Sequence, residues 1–285
     1  MHRVVAIIPA RYNSTRFPGK PLASLKGKIL VQHVYERALA ATRVDYVAVA
    51  TDDKRIFDAV AAFGGNAVMT AGSHKSGTDR VAEAAGHTEC EIVINVQGDE
   101  PFIRPEMIDD VVNLLYNDSR ASIGTLAKKI TDINEIMSPH VVKVVMDNEG
   151  FALYFSRSPV PYYRDEWELR NTEHKRQNAG DRMQETEYRR QNTDYITTFE
   201  LQTPAPEFQK FNCYKHIGIY GYRKDALVDF SSMSQSRLEQ IEKLEQLRAL
   251  SAGMKIKVKE TGFDAFGIDT IEDLRKAEEW QSISL

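Results

Sequence analysis

Three cationic side chains follow the first apolar run of the chain at short spacing. Residues 4–8 predict a buried strand, and Arg11, Arg16 and Lys20 lie in the loop after it. Open α/β sheets bind ligands at the carboxyl ends of their strands, so this loop is placed to meet a ligand. Two prolines restrict the loop, which favours partly preorganised cations for a polyphosphate. The alternative is a basic surface loop, since neither the P-loop spacing nor the G-x-G-x-x-G spacing is present.

Two aspartates occupy similar places after predicted strands. Asp99 follows the strong apolar run of residues 92–96 and a glycine, and Asp269 follows Gly267 and Ile268 just before a predicted helix. Mg²⁺ is usually held by one or two carboxylates together with substrate phosphates. The two side chains are therefore candidates to share one metal ion. The alternative for each is a turn or helix-capping role.

Further polar side chains lie at the ends of other predicted elements. Ser76, Gly77 and Arg80 begin a predicted helix, whose unpaired N–H groups suit an anion or a polar group. Arg157 follows a predicted hairpin, where its guanidinium suits bidentate capture of a carboxylate. The alternatives are a helix cap with a solvated arginine in the first case and a surface ion pair in the second.

A histidine and a row of glutamates carry weaker signals. His216 lies inside a predicted strand, where a lone histidine is usually structural. Glu239, Glu242 and Glu245 lie at helical spacing opposite a stripe of leucines, which is typical of a solvated helix face.

Apolar runs alternate with amphipathic segments through the first 120 residues. Predicted strands and helices take turns, at residues 4–8 (strand), 29–42 (helix), 46–50 (strand), 56–63 (helix), 67–69 (strand), after 77 (helix), 92–96 (strand) and 105–116 (helix). Such alternation predicts a mostly parallel sheet with helices on both faces.

The second half of the chain has a different pattern. Two β-rich runs at residues 141–146 and 151–155 are separated by a DNEG turn signal and predict a hairpin. A strand at 215–222, one helix at 236–250, a strand at 255–260 and a last helix opened by a capping box at Thr270 follow. The whole chain, 1–285, is predicted to be a single domain.

Bulk composition excludes several classes of protein. The 285 residues carry a net charge of −4, with a pI of about 6.0, which argues against a nucleic-acid or anionic-membrane partner. No apolar run approaches the length of about 18 residues that a membrane helix requires, and no signal peptide is evident. Cys90 and Cys213 form no C-x-x-C motif, which predicts free thiols in a reducing cytoplasm.

Residues 166–211 do not fit the alternating pattern. This stretch is rich in charged residues and poor in apolar ones, so it cannot bury much surface by itself. We predict that it is an atypical polar insertion within the domain, either a solvated excursion or a charged helix or arm at a dimer contact.

Several stretches together resemble one enzyme family. They are IPARYNSTRFPGKPL (8–22), ATDD (50–53), SGTDR (76–80), NVQGDEPFI (95–103), VKVVMDNEGFALYFSRSPVP (142–161), YKHIGIYGYRKD (214–225), LEQIEKLEQLR (238–248) and GIDTIEDL (267–274). In this order they are similar to the 3-deoxy-manno-octulosonate (Kdo) cytidylyltransferases, also called CMP-Kdo synthetases. The resemblance covers nearly the whole chain except about 166–211.

The resemblance implies a fold, a reaction and a site. The fold is the three-layer α/β nucleotide-diphosphosugar transferase type with a mixed, mostly parallel sheet, in a homodimer that a β-hairpin region helps to form. The reaction joins CTP and Kdo into CMP-Kdo and pyrophosphate, for lipopolysaccharide biosynthesis. The family's motif positions assign the triphosphate to Arg11 and Lys20, the cytidine to Ala10, Ser76, Gly77 and Arg80, Mg²⁺ to Asp99 and Asp269, and the sugar acid to Gln97, Arg157, His216 and Glu242.

Alternatives to Kdo stay open at this level. A cytidylyltransferase for another 2-keto sugar acid, of the 8-amino-Kdo or sialic-acid type, would need only a few altered contacts. A non-catalytic nucleotide-sugar binding module is a third hypothesis, which the presence of both aspartates with Arg11 and Lys20 disfavours.

Overall fold

The computed structural model describes residues 3–13, 16–164 and 212–283. Its strands are β1 (Val4–Ala10), β2 (Ser24–Leu25), β3 (Lys28–Ile29), β4 (Tyr46–Thr51), β5 (Ala67–Met69), β6 (Ile92–Asn95), β7 (Ile123–Lys129), β8 (Lys143–Met146), β9 (Ala152–Ser156), β10 (Tyr214–Arg223) and β11 (Ile256–Glu260). Its helices are α1 (Leu30–Leu39), α2 (Lys54–Ala62), α3 (Gly77–Gly86), α4 (Pro105–Asn117), α5 (Ile133–Met137), α6 (Lys224–Ser232), α7 (Arg237–Glu242), α8 (Gln246–Ser251) and α9 (Ile271–Ile283), with a 3-10 turn at Lys20–Leu22.

The central sheet is mixed and mostly parallel, as predicted. Its main path runs β11-β7-β10-β6-β1-β4-β5. On this path β10 is antiparallel to both β6 and β7, whereas the other neighbouring pairs are parallel. The parallel pairing brings the carboxyl ends of β1, β4 and β6 to one edge of the sheet, so the loops after these strands meet there.

Alternate residues of the strands bury into two separate layers of core. In β1, Val4, Ala6 and Ile8 pack with α1, α2 and α4, while Val5 and Ile7 pack with α3, α6 and α8. Because both faces of β1 are covered, its sequence is continuously apolar rather than alternating. The three layers of the predicted fold are thus present.

The predicted hairpin is confirmed as β8 and β9, which pair antiparallel around the turn at Asp147 and Gly150. Gly150 has a φ of +78°, a conformation that favours glycine. β8 joins the sheet through β10. The hairpin therefore extends the sheet beyond the start of β10.

The single helix predicted for residues 236–250 is wrong. Lys243 adopts a left-handed conformation with a φ of +56° and ends α7, and α8 begins three residues later. The break changes the direction of the chain, so the glutamates do not form one solvated face. Glu239 is only 5% exposed and binds Arg248 through two hydrogen bonds of 2.7 and 2.9 Å.

Other expectations have simpler outcomes. Cys90 and Cys213 are both free thiols. Among the described residues, no helix combines the length and the apolar character needed to cross a membrane. The predicted insertion at 166–211 lies outside the described residues.

Candidate active site

A cleft of about 360 Å³ opens at the carboxyl edge of the sheet. It is lined by the end of β1, the cationic loop, the start of α3 and the loop after β6, namely Pro9, Ala10, Arg11, Asn13, Arg16, Lys20, Pro21, Gly77, Gln97, Gly98 and Asp99. Six of the residues predicted from the sequence, Ala10, Arg11, Lys20, Gly77, Gln97 and Asp99, are in this set. The cleft therefore joins the predicted triphosphate loop to the first predicted metal ligand.

Lys20 connects the two predicted metal ligands. Its ammonium lies 2.6 Å from Asp99 Oδ2 and 3.2 Å from Asp269 Oδ1. Because both carboxylates reach the same nitrogen atom, they lie close enough together to face one cation. Backbone contact joins the two loops as well, since the N–H of Ile268 donates to the carbonyl of Asp99 at 2.8 Å.

The donor set around Lys20 fits a magnesium ion in part. Among the described residues, no group of three or more His, Cys, Asp or Glu side chains is close enough to hold a metal ion. Two carboxylates plus phosphate oxygens are nevertheless the usual set for Mg²⁺, which rarely occupies an all-protein cage. Asp99 and Asp269 are therefore suited to an ion that arrives with a phosphorylated ligand, and metal binding itself stays a prediction.

Arg11 presents an unused donor to the cleft. Its Nη1 donates to the carbonyl of Lys75 at 3.4 Å, whereas its Nη2 is buried without a hydrogen-bond partner among the described residues. A buried donor that lacks a partner is costly, so it indicates a place where a ligand acceptor is expected. The same loop places Arg16 3.1 Å from Asp269, but that pair is largely exposed and contributes little to stability.

The start of α3 forms one wall of the cleft. Ser76 caps the helix in a reciprocal capping box, in which its hydroxyl accepts from the N–H of Asp79 at 3.1 Å. Arg80, one turn further, is only 1% exposed, and its guanidinium pairs with Asp52 at 3.2 Å and bonds to Thr70. Burial lowers the pKa of Arg80. Arg80 thus lies behind the cleft and ties α3 to the segments after β4 and β5, and a contact with the nucleotide stays a prediction.

Gly98 brings the loop after β6 close to β1. A Cβ at this position would lie 2.8 Å from the carbonyl oxygen of Pro9. Because that oxygen belongs to the backbone of a central strand, it cannot move aside cheaply. The glycine therefore allows Asp99 to approach the cationic loop.

A chain of buried polar groups leads away from the cleft. Gln97 Nε2 donates to Asn95 Oδ1 at 3.1 Å, Asn95 Nδ2 donates to Thr78 Oγ1 at 3.3 Å, and Thr78 donates to Glu245 at 2.7 Å. Burial raises the pKa of Glu245. Sequence reasoning missed Asn95 and Thr78 and assigned Glu245 to a solvated face. The available signal was Asn95, the polar residue that ends the apolar strand β6. A polar side chain buried at such a position needs a hydrogen-bond partner.

Two of the residues predicted for the sugar acid lie together. The carboxylate of Glu242 accepts from Ser156 Oγ at 2.7 Å and from the N–H of Arg157 at 3.0 Å. Arg157 in turn donates from Nε to the carbonyl of Glu242 and from Nη1 to that of Pro139, each at 2.9 Å. Among the described residues, none is hydrogen bonded to Arg157 Nη2. The pair lies outside the residues that line the 360 Å³ cleft.

Lys143 supports the backbone beneath Arg157. Its side chain is fully buried, and its ammonium donates to the carbonyls of Ser138, Val141 and Arg157 at 2.6 to 2.8 Å. Burial lowers the pKa of this lysine. This role could not be predicted from the sequence, because a lysine in a strand usually faces solvent.

His216 lies on β10, separately from both groups. Its Nε2 lies 3.0 Å from Thr125 Oγ1, and its ring meets Phe155 edge-to-face at 5.2 Å and Tyr220 at 5.1 Å. Burial lowers the pKa of His216 from 6.5 to about 3, so the imidazole is neutral at physiological pH. Among the described residues, no hydrogen bond or ring contact joins this imidazole to Lys20, Asp99, Asp269, Arg157 or Glu242.

Comparison with known proteins places these features in context. A family model described as cytidylyltransferase matches residues 5–256. The 3-deoxy-manno-octulosonate cytidylyltransferase of Geotalea daltonii is 48% identical over 274 residues, covering 96% of each chain. That of Thermodesulfovibrio yellowstonii is 48% identical over 283 residues, with 96% coverage of each.

Solved structures agree with the sequence relatives. The structure of a CMP:2-keto-3-deoxy-manno-octonic acid synthetase complexed with CTP matches this chain with a TM-score of 0.81 at 39% identity. The match covers 99% of this chain and 100% of that one. A cytidylyltransferase from Leptospira borgpetersenii has a TM-score of 0.57 at 18% identity, over 100% of this chain and 89% of that one, which shows the fold alone.

The low pKa of His216 predicts acid sensitivity. The unfolded chain binds a proton on this residue near pH 6.5, whereas the folded chain does so only near pH 3. Between these values the unfolded state holds the extra proton, so the free energy of unfolding falls as the pH falls, by at most about 1.4 kcal/mol per pH unit. Because the side chain is not fully buried, we expect a smaller slope. Urea unfolding at pH 7 and at pH 5 gives the free energy of unfolding at each pH. Between pH 7 and pH 5 this free energy should fall less for His216→Gln than for the unchanged protein.

The exposed His140 provides the matched control, since His140→Gln should leave the pH dependence unchanged. Equal pH dependence of His216→Gln and the unchanged protein would contradict the assigned environment of His216.

Proposed function

We propose that the chain, which belongs to the 3-deoxy-manno-octulosonate cytidylyltransferase family, transfers CMP from CTP to Kdo and releases pyrophosphate. Family membership rests on a match over most of the chain and on relatives of 44 to 48% identity. It is therefore a nucleotidyltransferase, and CTP is its nucleotide substrate.

One observation carries the assignment of the reaction to the cleft. The Lys20 ammonium lies between Asp99 and Asp269, in the same cleft as Arg11, whose buried Nη2 has no hydrogen-bond partner among the described residues. Cations and carboxylates so arranged suit a triphosphate that brings its own divalent ion. A site for an uncharged ligand would not require two half-buried cationic side chains.

The proposed reaction is an in-line displacement at phosphorus. The anomeric hydroxyl oxygen of the sugar acid forms a bond to the α-phosphorus of CTP, and the bond from that phosphorus to the bridging oxygen of pyrophosphate breaks. The hydroxyl proton leaves to solvent or to a phosphate oxygen. Transfers of this kind depend on positioning and on neutralisation of charge more than on covalent chemistry by the protein.

The side chains of the cleft perform both tasks in this proposal. Arg11 and Lys20 bind the triphosphate and neutralise the charge that develops on the leaving pyrophosphate. Ala10, Ser76 and Gly77, at the β1 edge and the start of α3, frame the cytidine, with Arg80 holding that wall from behind. Asp99 and Asp269 would hold Mg²⁺, which when bound supplies Lewis-acid polarisation of phosphate oxygens.

The sugar acid is assigned to the polar groups at the other end of the sheet edge. Arg157 offers its Nη2 to the carboxylate, since no described residue is hydrogen bonded to that atom and its Nε and Nη1 are fixed by backbone carbonyls. Gln97, at the head of the buried polar chain, contacts the sugar from the cleft side. Glu242 and His216 complete the sugar site, with Glu242 also holding the Arg157 backbone.

Three broader features belong to the same proposal. The product serves lipopolysaccharide biosynthesis, the enzyme works in the cytoplasm, and two copies form a homodimer with help from the β8–β9 hairpin. Leu153, which is 62% exposed on β9, supports the last point, since a large exposed apolar side chain on a hairpin suits a subunit contact.

Release of pyrophosphate tests the reaction directly. Purified protein is incubated with CTP, Mg²⁺ and, in separate reactions, Kdo, 8-amino-Kdo and a sialic acid. We expect the highest kcat/KM with Kdo. A preference for another 2-keto sugar acid would correct the substrate, and no release with any of them would leave a binding module as the better description.

Asp99→Asn tests the role of the carboxylate pair. The change keeps the shape of the side chain but removes its charge, so the fold should persist while kcat falls by about 10²-fold or more. The measurement is pyrophosphate release at saturating CTP and Mg²⁺. Asp58→Asn, which removes an exposed carboxylate on α2, serves as control and should retain full activity. Near-normal turnover of Asp99→Asn would rule out the metal role.

Arg157→Ala separates the two substrates. Since Arg157 lies apart from the triphosphate loop, the KM for the sugar acid should rise by about 10-fold or more while that for CTP stays within about twofold. Initial rates with each substrate varied in turn give both constants. Failure of CTP binding would show that the sugar assignment is wrong. Arg37→Ala, a change at an exposed arginine on α1, is the control and should affect neither constant.

A further inference from the structure

A buried threonine hydroxyl lies against His216, one of the residues assigned to the sugar acid. Thr125, on β7, is completely buried, and its Oγ1 lies 2.7 Å from the carbonyl oxygen of Ile219, 3.2 Å from that of Ile217 and 3.0 Å from His216 Nε2. The three partners all belong to β10. One hydroxyl therefore meets two carbonyls and an imidazole nitrogen of the same strand.

This arrangement arises from a bulge in β10. Ile217 pairs with Leu126 and Tyr220 pairs with Thr125, so two residues of β10 have no counterpart on β7. The first of them is Gly218, where a Cβ would lie 3.1 Å from Glu100 Oε1. Glu100 is the residue directly after Asp99. The bulge turns the carbonyls on both sides of Gly218 toward Thr125, and it faces Gly218 toward the loop that carries Asp99.

The count of protons fixes the direction of the hydrogen bonds. A hydroxyl has one hydrogen to donate, and a carbonyl oxygen can only accept. The hydrogen of Thr125 must therefore point to the two carbonyls, since otherwise its lone pairs would face theirs at 2.7 and 3.2 Å. A lone pair of Oγ1 is then left toward His216, and Nε2 must carry the hydrogen that fills the 3.0 Å contact.

The ring of His216 cannot readily turn over to exchange its nitrogens. Phe155 meets it edge-to-face with an interplanar angle of 88°, and Tyr220 lies against it at 38°. The imidazole is neutral because burial lowers its pKa. A neutral ring with hydrogen on Nε2 has a lone pair on Nδ1, and no described residue is hydrogen bonded to that nitrogen.

We infer that Thr125 is a positioning residue that holds His216 as the Nε2–H tautomer, so that Nδ1 accepts a hydrogen bond from a hydroxyl group of the sugar acid. This inference rests on the proposed function for the identity of the ligand, and on the described geometry alone for the tautomer. Two kinds of contact would then bind the sugar acid. Arg157 donates hydrogen bonds to its carboxylate, and His216 Nδ1 accepts a hydrogen bond from one of its hydroxyl groups.

The tautomer is measurable without any substrate. Protein carrying ¹⁵N-labelled histidine is examined by long-range ¹H–¹⁵N correlation, with the His216 signals assigned from their loss in His216→Gln. We expect the pattern of a neutral ring with hydrogen on Nε2 at pH 7. In Thr125→Val this preference should be lost, whereas Thr125→Ser, which keeps the hydroxyl, should retain it. A hydrogen on Nδ1, or an averaged pattern, in the unchanged protein would overturn the inference.

Kinetics test the consequence for binding. Thr125→Val should raise the KM for the sugar acid on the order of 10-fold, the loss expected for one hydrogen bond, with the KM for CTP unchanged. Thr125→Ser, which keeps the hydroxyl, should have the same KM for the sugar acid as the unchanged protein. Thr261→Val, a change at a buried threonine after β11, is the matched control and should affect neither constant. Equal loss in Thr125→Ser and Thr125→Val would overturn the role of the hydroxyl.

Two outcomes separate this inference from the proposed function. If Thr125→Val does not fold, the tautomer in the unchanged protein and the behaviour of Thr125→Ser still decide the inference. If the unchanged protein shows the Nε2–H tautomer yet forms no CMP-sugar, the role of Thr125 in fixing that tautomer is supported, while the proposed function and the sugar acid as its ligand fail.

Discussion

The ion pairs of one lysine join three segments that are far apart in the sequence. Lys20 lies at the end of the cationic loop, Asp99 follows β6, and Asp269 precedes α9. Two carboxylates that are close enough to contact one nitrogen atom repel each other unless a cation lies between them. The ammonium therefore allows the loops to take their positions before any ligand arrives. A phosphorylated ligand with its own ion would enter a site whose charges are already aligned.

Much of this architecture follows from local sequence. The apolar runs of β1, β4 and β6 predict buried parallel strands, because residues on both faces are apolar. Their pattern also predicts Asp99 and the cationic loop at the same edge, since parallel strands end there. That Asp269 would reach the same lysine did not follow from any local pattern. Its position depends on β11 and the last loop returning to the site.

The misplaced and missed residues share a physical cause. The spacing of leucines between residues 238 and 250 fits a helix, but Lys243 takes a left-handed turn that no composition rule assigns to lysine. Asn95, Thr78 and Thr125 matter because of the partners that tertiary packing brings to them. A buried hydroxyl or amide has no periodicity of its own, so only the fold reveals what it binds.

The late position of β10 and β11 in the chain has a consequence for how the sheet is completed during synthesis. β7 pairs with β10 and β11, and both strands lie at or beyond residue 214. A nascent chain that has just exposed β7 on the ribosome thus has a strand whose two sheet neighbours have not yet been made. Unpaired strand edges are templates for association with other chains. In the first half of the sheet, β1, β4 and β5 have all of their own partners by residue 95, and they can assemble with β6 while the rest of the protein is still being translated. Of this group only β6 then keeps an edge that waits for β10.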